Sequence, residues 1–204
     1  MTTAAFGELA IETIRDPQGA ARRLLALGVP RNVLWTALAL VIVLNAAVYG
    51  LSNLITPPPA EVPMAALAPV PFAAFLAAGL IGTILALWYV GRAIGGAGAL
   101  EDVMVLMVWL QALRLAVQAA LLVLVPLSPV LSSLVVLAAA VIGFWILLNF
   151  VDVAHGYGSL LKSFGAVALS VLALALGLTL FVTLFGGALQ IGRASCRERV
   201  YTKV

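Results

Sequence analysis

The chain has 204 residues, of which 64% are hydrophobic and only 9% charged, where a soluble domain carries about 25%. Its net charge of +3 resides in residues 191–204, where Arg193, Arg197, Arg199 and Lys203 face Glu198. The other basic residues (Arg15, Arg22, Arg23, Arg31, Arg92, Arg114 and Lys162) are matched by as many acidic ones, so a water-soluble domain and a nucleic-acid partner are both excluded. The solvent for this chain is the lipid bilayer.

Residues 1–32 read as a polar cytosolic arm. Within it Asp16-Pro17 is an N-cap followed by the residue best tolerated at the first helical position. Residues 18–27 then place Ala21, Leu24 and Leu25 on one side with Arg22 and Arg23 beside them, and Gly28 and Pro30 end the helix. A short amphipathic helix of this kind lies on the inner leaflet with its arginines among the headgroups. A helix that docks on a partner would carry the same pattern. No secretory signal is expected, because the first apolar run begins late and is too long for a signal's apolar region.

Five apolar stretches follow, over residues 33–54, 71–90, 103–125, 130–150 and 164–185. Each is long enough to cross roughly 30 Å of hydrocarbon as a helix at about 1.5 Å per residue. The sequence therefore predicts an all-α integral membrane protein with five transmembrane helices in one bundle and a short N-terminal amphipathic helix. The expected division is an arm at 1–32, a membrane domain at 33–186 and a tail at 187–204. Basic residues fall in alternate connections: Arg15, Arg22, Arg23 and Arg31 before the first span, Arg92 after the second and Lys162 after the fourth. The positive-inside rule then puts the N-terminus in the cytoplasm and the C-terminus in the periplasm of a bacterial inner membrane.

The tail breaks that pattern by exporting four basic residues. Residues 191–200, IGRASCRERV, resemble a common sequencing-library adapter read through in frame. Residues 191–204 are accordingly read as an assembly artefact, and Cys196 and the basic balance are given no functional weight. The other reading is a true basic tail, with one span miscounted.

Arg114 lies eleven residues into the third span, near the bilayer midplane, where a cation is costly and often functional. Gln111 and Gln118 flank it at spacings of three and four, on one helical face. Asn45 of the first span reaches about the same depth. No carboxylate is near that level, so amides and water are expected to satisfy the guanidinium, on a face turned into the bundle. Asn45, Gln111, Arg114 and Gln118 form a candidate intramembrane polar site. Its functional reading is an anion or lipid-headgroup site, and its structural reading, which we favour from sequence, is a polar clamp between spans.

Residues 91–98, GRAIGGAG, lack the strand before and the lysine-serine ending of a P-loop and are read as a tight turn. Glu101 and Asp102 after them favour the start of a helix. Asn149, Asp152 and His155 recur every three residues at the inner end of the fourth span, as a candidate cytosolic-face cluster. Metal needs three or four ligands, and with one histidine and one suspect cysteine no metal or cofactor is expected. Hydrogen bonds across the cytosolic face are the expected role. Small residues at four-residue spacing (Ala74, Ala78 and Gly82; Ala139 and Gly143; Ala173 and Gly177) allow close helix approach within the bundle, or with a second copy or another membrane protein. No nucleophile stands beside a base, so no enzyme is expected.

The arm RDPQGAARRLLALGVP, the GG-x-G turn with its acidic pair, the span segment VWLQALRLAVQ and the segment NFVDVAHGYGS occur in this order. This layout resembles the Yip (Ypt/Rab-interacting protein) domain family in its bacterial multi-pass form. The resemblance covers residues 14–185, and its most specific pieces are Gly95-Gly96 with Trp109, Gln111 and Arg114, and residues 149–155. It implies five transmembrane helices with a cytosolic N-terminus. Eukaryotic members act in vesicle traffic, binding small GTPases and shaping membranes. This arm lacks their long cytosolic domain, so GTPase binding is not expected. The functional expectation is a non-enzymatic scaffold of the inner membrane, with a small transporter built around Arg114 as the alternative.

Overall fold

The computed structural model describes residues 3–57, 68–181 and 183. Pro58 and Pro59 of the proline run, the last turn of the predicted fifth span and the whole tail with Cys196 lie outside the described residues.

Seven helices make up the described chain: α1 (Thr3–Arg15), α2 (Pro17–Leu25), α3 (Arg31–Ile55), α4 (Pro69–Ala93), α5 (Leu100–Leu127), α6 (Pro129–His155) and α7 (Leu160–Phe181). The fold is all-helical, and α3 to α7 are each long and apolar enough to cross a membrane. The helices α3 to α6 have 25 to 28 residues and reach about 38–42 Å. They therefore outrun a 30 Å hydrocarbon layer, and their polar ends stand in the headgroup region.

Local chemistry sets the ends. The Asp16 carboxylate accepts from Gly19 N at 2.9 Å at the start of α2, as its sequence signal predicted. Asp102 Oδ2 accepts from Ala99 N at 3.0 Å, so a carboxylate in the first turn of α5 satisfies an otherwise unpaired donor ahead of it. Ser128 Oγ accepts from Leu131 N at 3.3 Å, and Pro129 opens α6. Gly156, at φ +66, ends α6 in the left-handed conformation that spares a Cβ clash.

Arg31 Nε stands 3.7 Å from a Glu101 carboxylate oxygen, so α3 and α5 begin side by side. Both partners are well exposed, and such a pair is worth at most about 1 kcal/mol. Tyr157 donates to the Gly91 carbonyl at 2.7 Å, bringing the ends of α4 and α6 to the same end of the bundle, here called the arm end. From it α7 runs to the distal end. Around the bundle the neighbours are α3, α5, α6, α7 and α4, which returns to α3; α4 also touches α5 and α6 across the middle.

Packing is concentrated at the arm end. Leu34 and Leu38 of α3, Leu87 of α4, Met104 and Leu106 of α5, Phe150 and Val151 of α6, and Ala166 and Val167 of α7 are buried there. Along the five long helices every buried side chain except Ser132 lies within about 23 Å of that end. The distal halves expose Val123, Leu127, Val130, Leu134, Leu137, Leu176 and Leu178, as a lipid-facing surface would. The small-residue stripes are used unequally. A Cβ on Gly82 would lie 3.2 Å from Leu174 of α7, while Gly143 and Gly177 have open space in front of them.

The structure adds one element to the arm and changes one expectation for it. Residues ahead of Asp16, to which the sequence reading assigned no element, form α1; Phe6, Leu9 and Thr13, spaced three and four apart, face the bundle and were the overlooked signal. The apolar side of α2, assigned to the leaflet surface, is instead covered by protein: Ala20, Ala21 and Leu24 are buried where α2 packs on α5 and α6. The exposed large apolar residues of the arm, among those described, are Ile11 and Ile14 of α1 and Leu27 after α2. The spacing of apolar residues marks the face of a helix that leaves water; whether lipid or protein covers that face is set by tertiary packing.

Candidate functional site

At the arm end, the turn after α4 and the loop after α6 close on each other. His155 is 2% exposed, and its ring fills a slot walled by glycine. A Cβ on Gly91 would run into the ring Nε2, and one on Gly96 would lie 2.7 Å from its Cβ and Cδ2. One on Gly98 would meet the Ala154 carbonyl oxygen at 2.5 Å. All three are closer than a real Cβ can approach, so residues 91–98 need glycine for close approach to α6 rather than for phosphate. The Ala97 N–H donates to the His155 carbonyl at 3.1 Å. Tyr157 stacks on the imidazole at 5.3 Å between centroids and 10° between planes. Burial pushes the Tyr157 phenol above its ordinary range, which keeps it a neutral donor to Gly91.

Each of the other cluster residues has its own partner. Asn149 Nδ2 donates to the Trp145 carbonyl of its own helix at 2.8 Å. Asp152 Oδ1 accepts from Ser159 N at 2.9 Å, and Oδ2 accepts from Gln18 Nε2 at 3.3 Å. Asp152 thus ties α2 and the start of α7 to the end of α6. His155 Nδ1 lies 3.2 Å from the Val151 carbonyl, and Nε2 is buried without a partner. Asn149, Asp152 and His155 share a helix face but converge on no common point. Among the described residues no group of three His, Cys, Asp or Glu side chains could hold a metal ion.

The arm is held from a second side by Trp109. Its indole Nε1 donates to Thr13 Oγ1 at 3.0 Å, Thr13 in turn donates to the Leu9 carbonyl at 2.7 Å, and Phe6 meets the indole at 5.0 Å. Sequence reasoning singled out Trp109 but not Thr13 or Gln18. A lone polar residue in an arm gives no sign of a partner some 96 or 134 positions away.

The intramembrane residues divide. Asn45 is buried and donates to the Val41 carbonyl of its own helix at 2.8 Å. Gln111 is buried, and the side-chain oxygens of Gln111 and Gln118 are both buried without a donor. Arg114 is exposed and has no hydrogen-bond or ion-pair partner among the described residues. The expected clamp is therefore not formed by Arg114. Its turn of α5 lies just beyond the last buried residue of that helix, Gln111, where the bundle has begun to open.

Two of the pieces that carried the family likeness meet at the arm end: the glycine turn and the Asp-x-x-His-Gly-Tyr segment. The family model for the Yip1 domain matches residues 11–187. The chain belongs to the Yip1 domain family. The match takes in every long helix of this Yip1-domain protein and most of its arm, and it ends short of the suspect residues 191–204. No curated protein and no solved structure matches the chain.

Proposed function

We propose that this Yip1-domain protein is a non-enzymatic scaffold of the bacterial inner membrane, with the arm end in the cytoplasm and the C-terminal side in the periplasm. One observation carries the reading. The polar side chains best suited to chemistry, Asp152, His155 and Tyr157, are engaged in joining α2, α4, α6 and α7 into a closed end. A rigid end beneath loosely packed apolar helices suits a part that holds lipid, a second copy or another membrane protein in place. Small GTPases are not proposed as partners. The proposed division remains an arm at 1–32, a membrane domain at 33–186 and a tail at 187–204, with 191–204 foreign to the protein. Resequencing the 3′ end of the gene tests that last point, and reporter fusions after Gly96, His155 and Gln190 test the orientation.

The second reading is a small transporter, favoured by an unpartnered cation at mid-membrane depth. The two separate in sealed vesicles containing the purified chain. A scaffold gives no solute flux above protein-free vesicles, and photo-crosslinkers at exposed Leu137 or Leu176 in cell membranes capture a second copy or a discrete membrane partner. Solute-selective flux that disappears in a folded Arg114→Gln variant would reverse the ranking.

A further inference from the structure

Three candidates stand outside the arm-end lock. The unpartnered Nε2 of His155 is enclosed by glycine backbone with no room for a ligand. Arg114 is one exposed cation on a helix, which is not by itself a site. The outer side of α1 carries more: an apolar face that protein leaves uncovered, at a level fixed by contacts to Trp109.

Trp109 follows Val103, the first apolar residue of its span, by six residues, so its Cα lies about 9 Å farther along α5. A helical side chain leans back over the turn before it, which puts the indole about 4–9 Å inside the level of Val103. Two residues of α1 that stand two turns apart meet this one indole: Phe6 at 5.0 Å between centroids and Thr13 at 3.0 Å. The middle of α1 therefore lies beside the indole. That is the depth at which in-plane amphipathic helices rest, about 5–10 Å into the boundary between headgroups and acyl chains.

At 3.6 residues per turn the side chains of α1 fall into three sectors. Phe6, Leu9 and Thr13 face the bundle, and Leu9 and Thr13 are buried. Glu8, Glu12 and Arg15 make a polar sector. Glu8 and Arg15 are exposed, and Glu12 accepts from Arg23 of α2 at 2.7 Å. Ile11 and Ile14, both more than half exposed, form the third sector. They stand roughly 100–160° round the helix from Glu12 and so turn away from α2. A helix docked on protein in water needs only two sectors, and the third suits a helix that also borders lipid. Charge does not supply the attraction: up to the end of α2, Arg15, Arg22 and Arg23 are balanced by Glu8, Glu12 and Asp16.

We propose that α1 is an in-plane membrane helix, seated in the leaflet at the arm end with Ile11 and Ile14 among the acyl chains. Its partner is a phospholipid surface, recognised by burial of apolar side chains rather than by headgroup charge. The arm is then held from two sides, by the hydrogen bond between Trp109 and Thr13 and by lipid. This inference goes beyond the scaffold reading and does not depend on it.

The test uses the full chain in phosphatidylcholine vesicles, with Cys196→Ser as background and one nitroxide at a time on Ile11→Cys, Ile14→Cys, Glu8→Cys or Leu137→Cys. Collisions with oxygen, which concentrates in lipid, and with a neutral nickel chelate, which stays in water, report the depth of each label. The oxygen-to-nickel ratio at positions 11 and 14 should exceed that at 8 by about threefold or more and stay below that at 137, within the fourth span. Replacing part of the lipid with phosphatidylglycerol should leave these ratios unchanged. Ratios at 11 and 14 equal to that at 8 overturn the proposal, because the face would look into water. Exclusion of both reagents at 11 and 14 also overturns it, because a second copy would cover the face. So does a high ratio that appears only with phosphatidylglycerol, since charge would then seat the helix. A nitroxide is itself apolar, so hydrogen exchange of unlabelled chains in the same vesicles supplies an independent check. Ile11→Ser combined with Ile14→Ser, a change nearly neutral for helix propensity, should speed exchange of the α1 amides about tenfold. Glu8→Ser should leave them unchanged, and exchange in the double variant equal to wild type overturns the proposal.

Discussion

Gly91→Ala tests the central contact of the arm end. Position 91 is helical and buried, so intrinsic propensity alone would favour alanine by about 1 kcal/mol. Opposing that gain, the new Cβ would overlap His155 Nε2 and lie 2.5 Å from Cδ2 and 2.7 Å from Cε1. The imidazole cannot easily retreat, with Tyr157 stacked on it and Val151 O at its other nitrogen. Overpacking a closed site costs about 1–3 kcal/mol, and contact this close argues for the upper part of that range. The net expectation is a loss of about 1–2 kcal/mol, or a Tm fall of about 2–8 °C for a chain this size. Gly79→Ala, in the same helix with nothing within 4 Å of its Cβ, should instead hold or raise Tm. The assay is thermal unfolding of the purified chain followed by size-exclusion fluorescence. A double variant adding His155→Ala supplies the decisive comparison. It should be more stable than the two single losses predict by about 1–3 kcal/mol, because the clash goes with the ring. If Gly91→Ala matches or exceeds the wild type while Gly79→Ala behaves as expected, the glycine slot is not what positions the turn.

Trp109→Phe keeps the packing against Phe6 but deletes the bond to Thr13, and should cost about 0.5–1.5 kcal/mol, read as faster hydrogen exchange across α1. Asp152→Ala strands the Ser159 N–H and frees Gln18, for a loss of about 1–3 kcal/mol; Asp152→Asn, which can still accept from Ser159, should lose less in the same unfolding assay. Tyr157 gives a pH signature. Its folded value is raised by burial, so its contribution is complete below the ordinary tyrosine range and is lost as pH rises through the raised value. Tm measured from pH 8 to 11 should therefore fall more steeply in the wild type than in Tyr157→Phe, and parallel profiles would show that the phenol does not couple to folding.

Much of the architecture was legible because in lipid the backbone has few stable solutions. Runs of twenty apolar residues must form helices that satisfy their own hydrogen bonds, so the five spans, their approximate limits and the Asp16 cap could be read directly. The glycine-rich turn was recognisable as a turn, but not as a mould for His155, because the partner of a close approach lies about 60 positions away and leaves no local trace. For the same reason Asn149, Asp152 and His155 could be placed on one face without revealing that each bonds a different neighbour.

The arm and Arg114 mark the boundary most clearly. Sequence by itself determined that α2 would be amphipathic and that Arg114 would stand midway along a long apolar helix, because these follow from periodicity and from rise per residue. Only the tertiary structure decided that α2 is covered by α5 and α6 and that Arg114 is left exposed. The angle at which helices diverge depends on side chains from several of them at once. Here buried large residues and close glycine contacts pack the arm end, while the distal halves leave most of their large apolar side chains exposed.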